Sequence, residues 1–564
     1  MRLRSFYIIF LIIFCFTSPV FADMFEEKQA LRVGISNQNF STQDYKNVDF
    51  ISDSAIKIID MSQNYPIQDI EANTKVNFQL NDGLITVTSQ NGIQYSNLQG
   101  PLLLTSNSPI GIVNLNRKGT PARYRGMIEI KLNKNSSAFN VINIIDIENY
   151  LRGVVPNEMP VSFGLEALKA QSVAARNYAT RAKISDNFDV TDSTASQVYY
   201  GVNSYKDISD KAVLETIGIY ALYNNTPISA LYFSTSSGIT DDWDDVFANG
   251  VKGLHPYLKS RFDFEDQKPL KNEDEVIEFY TRKDTGLDTA SPKFRWEIEF
   301  TREELEDTLS KTLAEQSKAG FVYPKFENGT KLEGLREIKP IVRTQSGKIT
   351  ELLISSQTGE YKVRKELAIR RVLKKNNTLL PSSNFIVTTT KGEAKEEDND
   401  RKFMGIFDII QDDIPKSFKF IGGGFGHGVG MSQFGAYALA KKGKKYPEIL
   451  KHYYTNIHLS TLPKQVSYND YNYWFRTDFY FDKNIYKSAY LYITNPNRAD
   501  DFSFMINDLE FENNSQYANN KVIKIDITQY LKNGMNVVNF APLSALNKGK
   551  NIVYQVELQE NAAN

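Results

Sequence analysis

In this chain of 564 residues the group best placed to move a proton is Glu158, in the string GVVPNEMP at residues 153–160. Pro156 and Pro160 flank it, and their fixed φ and missing N–H stiffen the segment. A carboxyl group on a stiff turn, just ahead of a helix, suits general acid–base chemistry. The same residue there also suits plain electrostatic complementation of a helix N-terminus, and spacing leaves both uses open. A second stretch with chemical potential is FIGGGFGHGVGMSQFGA at residues 420–436, where His427 stands among Gly422, Gly423, Gly424, Gly426, Gly428 and Gly430. Glycines at that density let main-chain N–H groups approach a ligand. No register of them satisfies G-x-G-x-x-G or G-x-x-x-x-G-K-[ST], which argues against a nucleotide. His427 either bonds a ligand or locks the turn, and the first is expected. A third stretch, Ser234-Thr235-Ser236-Ser237-Gly238, offers hydroxyls and amides suited to a ligand rich in hydroxyl or N-acetyl groups, or to ordinary turn capping.

These residues need elements to hold them. Gly164 to Lys183 contains no proline and several alanines, so a long helix is expected directly after Glu158. Val161, Leu165, Leu168, Ser172, Ala175 and Ala179 form its narrow packing stripe, with Lys169, Arg176 and Lys183 on another face. Further helices are expected over 207–218 and 432–442. Residues 30–147 alternate short apolar segments with turn residues and read as β-rich. Residues 265–418 read as an accessory α/β part, in which Thr301 and Glu304 form a capping box and KGEAKEEDNDRK is a charged loop. From about residue 466 short strands return. There Ile523, Ile525 and Ile527 alternate with Lys524, Asp526 and Thr528, a period-two face that suggests a β-sandwich. The fold class expected is therefore α+β, with a main region at 23–460 and a sandwich at 465–564.

Composition narrows the function. The formal charge of -1 gives no reason to invoke nucleic acid. Cys15 is the sole cysteine, and it falls in MRLRSFYIIFLIIFCFTSPVFA, which reads as a secretory signal peptide cleaved after Ala22. The mature chain would then lack disulfides and thiolate metal sites, and would act in the periplasm, the cell envelope or outside the cell. Asp241, Asp242, Asp244 and Asp245 fit no calcium loop, and His255, His427, His452 and His458 show no ligand spacing, so neither a metal nor a cofactor is expected.

The string GVVPNEMP followed by LEALKAQSVAARNYA closely resembles the first signature of the stage II sporulation protein D (SpoIID) and amidase-enhancer family. Gln197 with Tyr200 or Tyr199, then Ser237-Gly238-Ile239-Thr240, resemble its second and third signatures, and GHGVGMSQFGA its last. The resemblance implies a peptidoglycan lytic transglycosylase acting on glycan strands stripped of stem peptides, with Glu158 catalytic and Arg176 orienting or countering its carboxylate or binding an N-acetyl or carboxylate group of the sugar; a purely structural ion pair of Arg176 fits its position as well. It further implies a cleft walled by Gln197, Tyr200, Ser236, Ser237, Gly238, His427, Ser432 and Gln433. The same family includes non-catalytic enhancers of a cell-wall amidase, so such an amidase is the partner implied and glycan binding without cleavage the alternative. The C-terminal segment resembles the galactose-binding-like jelly rolls of glycosidases.

Overall fold

The computed structural model describes residues 30–561 except 64, 249–250, 264–266, 283–285, 391–413, 468–473, 495–501, 512–519 and 543–550. The expected signal segment and the charged loop lie outside the described residues. The fold is α+β and rich in sheet, as the alternation of short apolar segments requires. The chain divides into two compact units, one formed by residues up to Ser229 together with those from His458 onward, the other by Ala230–Ile457.

In the first unit two sheets, antiparallel except where Val190–Thr191 pairs in parallel with Ala30–Gly34, hold the strands of residues 30–146. One runs Val190–Thr191, Ala30–Gly34, Phe139–Asp146, Met127–Leu132, Leu102–Thr105, Ile56–Asp60 and Tyr65–Ile70; the other centres on Ile110–Arg117, Asn47–Ser52 and Val76–Asn81. Phe139–Asp146 delivers the chain into helix α1, Ile147–Glu158, whose N-cap Asp146 accepts from the Asn149 N–H at 3.0 Å. Helix α2, Leu165–Arg181, follows after one 3-10 turn, and α3 spans Asp207–Leu214. The long helix is thus where the alanines place it, but α1 departs from expectation. Glu158 ends a helix rather than occupying a turn between prolines. Pro156 sits inside the last turn of α1, where it deprives the Arg152 carbonyl of an amide partner; Pro160 then holds Met159 extended and stops the helix.

The C-terminal residues form a sandwich of a seven-stranded and a four-stranded sheet. Phe540 of one sheet stacks on Tyr554 of the other with ring centroids 5.0 Å apart. Ile523 and Ile527 are buried while Lys524 and Asp526 are exposed, the pattern a half-buried strand demands. The seven-stranded sheet also takes in Tyr220–Tyr223 and His458–Ser460, so Asn551–Glu560 continues a sheet begun far earlier in the chain. Asn224 and Asn225 turn the hairpin after Tyr223 with φ of 49° and 58°, values that Asn tolerates better than most residues.

In the second unit Trp296–Thr301, Ser417–Gly422 and Phe385–Thr390 make one sheet, and Val322–Tyr323, Glu360–Arg364, Ile349–Ser355 and Glu337–Arg343 another. Their shared core includes Phe300, Leu309, Leu352, Ile369 and Phe420. The helix Arg302–Lys318 opens on the capping box expected of Thr301 and Glu304.

Candidate functional site

Glu158 stands where a helix ends and carbonyl groups face outward, a position that disfavours negative charge. Its side chain is half-buried, and Oε1 accepts the Val198 N–H at 2.6 Å. Burial raises its pKa to about 7, outweighing the Val198 hydrogen bond, which pulls the other way. No neighbouring carboxylate contributes to the shift. Tyr150, Tyr178 and Tyr200 lie close enough to feel its charge; each phenol is raised mainly by burial and further by Glu158. The result is a single carboxyl group, still reachable from solvent, poised to hold or release a proton near neutral pH.

The segment 197–201 carries the Val198 amide, and its own packing fixes that amide. Gln197 is buried: its Oε1 accepts from the Tyr150 hydroxyl at 3.1 Å, and its Nε2 donates to the Ala175 carbonyl at 3.3 Å. Tyr199 is also buried and donates to Asn143 Oδ1 at 2.8 Å, whereas Tyr200 stays half-buried. The structure thereby separates the two tyrosines of the second signature, one in the core and one at the surface. Such close contact needs Gly153 on α1, where a Cβ would sit 2.6 Å from the Tyr199 ring. Gly201, at φ 60°, has the Arg123 carbonyl 2.2 Å from where a Cβ would stand.

Arg176 is placed differently from the expectation. It is buried against the start of α1, where Nε and Nη2 donate to the two oxygens of Glu148 at 2.9 and 2.7 Å and Nη1 donates to the Ile219 carbonyl at 3.1 Å. Glu148 lies ten residues before Glu158, about 15 Å along the helix at about 1.5 Å per residue. The guanidinium therefore anchors the first turn of α1 rather than facing the Glu158 carboxyl. The resemblance paired Arg176 with Glu158, but α1, which the sequence did not reveal, brings Glu148 to the guanidinium instead.

The remaining expected residues belong to the second unit. Ser236, Ser237, Ser432 and Gln433 are all buried. The Ser236 N–H donates to Asp288 Oδ2 at 2.6 Å, the Ser432 hydroxyl donates to the same oxygen, and Ser432 also caps the helix Gln433–Lys441. Asn384 donates to the Ser237 hydroxyl at 3.3 Å, and Gly238, at φ 115°, donates its N–H to Ser236 Oγ at 3.0 Å. The hydroxyls expected to wall a cleft are thus drawn inward by buried polar partners. Asp288, which no motif flagged, is the hub of this network; burial, and then Asp263, push its carboxyl well above the usual range.

His427 also turns inward. Its Nδ1 accepts the Val429 N–H at 3.1 Å and Nε2 donates to the Tyr232 carbonyl at 3.1 Å, while Phe233 and Phe247 flank the ring. Burial lowers its pKa to about 3, so the imidazole is neutral and holds the glycine turn together, not the ligand contact expected of it. Among the described residues no group of three or more His, Cys, Asp or Glu side chains is arranged to hold a metal ion, and no helix is long and apolar enough to cross a membrane.

Comparison with known proteins agrees with the signatures. A family model described as stage II sporulation protein (SpoIID) matches residues 135–223, and one described as a domain of unknown function (DUF8618) matches 245–430. The chain is 31% identical over 319 residues to a Bacillus subtilis (strain 168) protein named amidase enhancer, a match covering 55% of this chain and 40% of that protein. It is 28% identical over 340 residues to stage II sporulation protein D of the same organism, covering 56% and 75% of the two chains. An uncharacterized protein of Brachyspira hyodysenteriae (strain ATCC 49526 / WA1) is 29% identical over 346 residues, 60% of this chain and 71% of that one. The match therefore spans less than half the length of the amidase enhancer. The chain carries a stage II sporulation protein (SpoIID) domain at residues 135–223, and Glu158, with the helices and the amide that hold it, lies inside that domain.

Proposed function

We propose that this protein is an exported peptidoglycan lytic transglycosylase that cleaves the bond from N-acetylmuramic acid to N-acetylglucosamine in glycan strands stripped of stem peptides. The observation that carries this reading is Glu158: one half-buried carboxyl, raised to about 7 by burial, with no carboxylate partner contributing. Hydrolysis of a glycosidic bond ordinarily uses two carboxyl groups. A transglycosylase manages with one, because the nucleophile is the sugar's own C6 hydroxyl.

Protonated Glu158 gives its proton to the glycosidic oxygen as the bond from C1 of N-acetylmuramic acid breaks. The C6 oxygen then bonds to C1, and its proton returns to the Glu158 carboxylate. The ends formed are a free N-acetylglucosamine hydroxyl and a 1,6-anhydro-N-acetylmuramic acid, and no water is consumed. The Val198 N–H fixes Oε1, which leaves Oε2 to carry the proton.

A second reading is a glycan-binding enhancer of a cell-wall amidase without catalysis of its own, favoured by the name of one relative. The pH dependence of strand cleavage separates the two. Only the acid form of the free enzyme begins a cycle, so kcat/KM is expected to be level below about pH 7 and to fall tenfold per pH unit above it. A level profile through pH 9 contradicts the role of Glu158. Glycan retention without cleavage at any pH supports the enhancer.

A further inference from the structure

Phe40 is a large aromatic side chain left 38% exposed on a backbone with φ of 56°, a region that bulky residues rarely occupy. Such strain persists only where the surroundings impose it, and here they do. The Asn37 N–H donates to the Thr42 carbonyl at 2.9 Å, the Phe40 N–H to the Asn37 carbonyl at 3.1 Å, and the Ser41 N–H to Asn37 Oδ1 at 3.0 Å. Beneath the loop a buried pair, Arg117 and Asp192 at 2.8 Å, ties it down: Arg117 donates to the Ser36 carbonyl at 2.7 Å and Asp192 accepts the Ser36 N–H at 2.9 Å. The Arg117 guanidinium also lies 4.2 Å from the centroid of the Phe40 ring. A ring fixed this firmly still leaves more than a third of its residue's surface to solvent.

Its neighbour gives it a purpose. The Phe40 ring centroid is 6.0 Å from that of half-buried Tyr200. Tyr200 lies two residues after Val198, whose amide holds Glu158, and its own N–H donates to the Gly153 carbonyl of α1 at 3.3 Å. A partly exposed aromatic pair thus adjoins Glu158.

We propose that Phe40, with Tyr200 beside it, is a sugar-stacking platform that seats one pyranose ring of the glycan strand next to Glu158. Pyranose rings present an apolar C–H face that packs on aromatic rings, so a rigid platform fixes the strand's orientation at little entropic cost. This rests on the reading of Glu158 as acting on a glycan strand. Its test is therefore binding of uncleaved, peptide-free glycan strands to the full chain carrying Glu158→Gln, alone and combined with Phe40→Ala or Phe40→Trp. Phe40→Ala is expected to weaken binding about tenfold, and Phe40→Trp to keep it within about threefold, each measured on protein that remains folded, since the ring is 38% exposed and otherwise packs on the Arg117 guanidinium. In the cleaving protein Phe40→Ala is expected to raise KM and to spare the pH profile. Equal affinity of Phe40→Ala and its parent, equal loss in the Ala and Trp variants, or no glycan binding by the parent overturns the platform. Tight, Phe40-dependent binding by a protein that never cleaves upholds the platform while refuting the transglycosylase.

Discussion

Glu158→Gln is expected to lower strand cleavage about 10³- to 10⁴-fold and, at pH 8, to make the protein more stable than its parent. The kinetic loss sits at the upper end for general acid–base catalysis because one group serves as acid and then as base. The stability gain follows from linkage. The folded pKa of about 7 exceeds the ordinary value of 4.5, so between those values the native state keeps a proton that the unfolded chain releases. Raising the pH through that window therefore costs native stability, and above about pH 7 the full penalty stands. Glutamine removes it, for a gain of at most about 3 to 4 kcal/mol at about 1.4 kcal/mol per pKa unit. Below pH 4.5 both states are protonated and the difference vanishes. Denaturant melts of both proteins at pH 4 and pH 8 check the sign, and equal stability at pH 8 refutes a carboxyl held near neutrality by burial.

Arg176→Met is expected to destabilise the first unit by about 3 kcal/mol, because it strands the Glu148 carboxylate and the Ile219 carbonyl that the guanidinium now satisfies. Replacing both partners, Glu148→Gln with Arg176→Met, is expected to restore much of that loss, since no uncompensated charge remains. Cleavage by the folded fraction of either variant should keep the parent's pH profile. A variant as stable as the parent but slow, with its pH profile displaced, would instead put Arg176 in electrical contact with Glu158. Denaturant titration paired with the pH profile distinguishes the two roles.

The helices and strands were legible where local chemistry and tertiary packing agree. The alanine-rich run of α2, the capping box of Thr301 and Glu304, the two-asparagine hairpin and the period-two strand at Ile523 to Ile527 each satisfy a local rule that the fold then uses. Helix α1 was hidden because Pro156 argues against a helix, although Asp146 caps it locally, and because the close contacts of Gly153 that sustain it are with Tyr199 and Gly201, far along the chain. Glu158 stands out in sequence, but the Val198 amide that bonds it does not, since backbone groups leave no residue signature. Hydroxyl-rich and glycine-rich strings mark places where polar groups must pack closely, and they do not say whether the partner is a ligand or the protein. That ambiguity is why Ser236, Ser432 and His427 were expected to face a ligand and instead meet Asp288 and main-chain groups. Phe40 carries no motif, and only its positive φ and its exposure distinguish it.

The most direct test of the proposed chemistry is the mass of the cleaved ends. Peptide-free glycan strands incubated with the protein should yield fragments lighter by one water than hydrolytic products, and Glu158→Gln should yield none. Fragments ending in ordinary reducing N-acetylmuramic acid would contradict the account, because they require a water nucleophile and a second group to activate it.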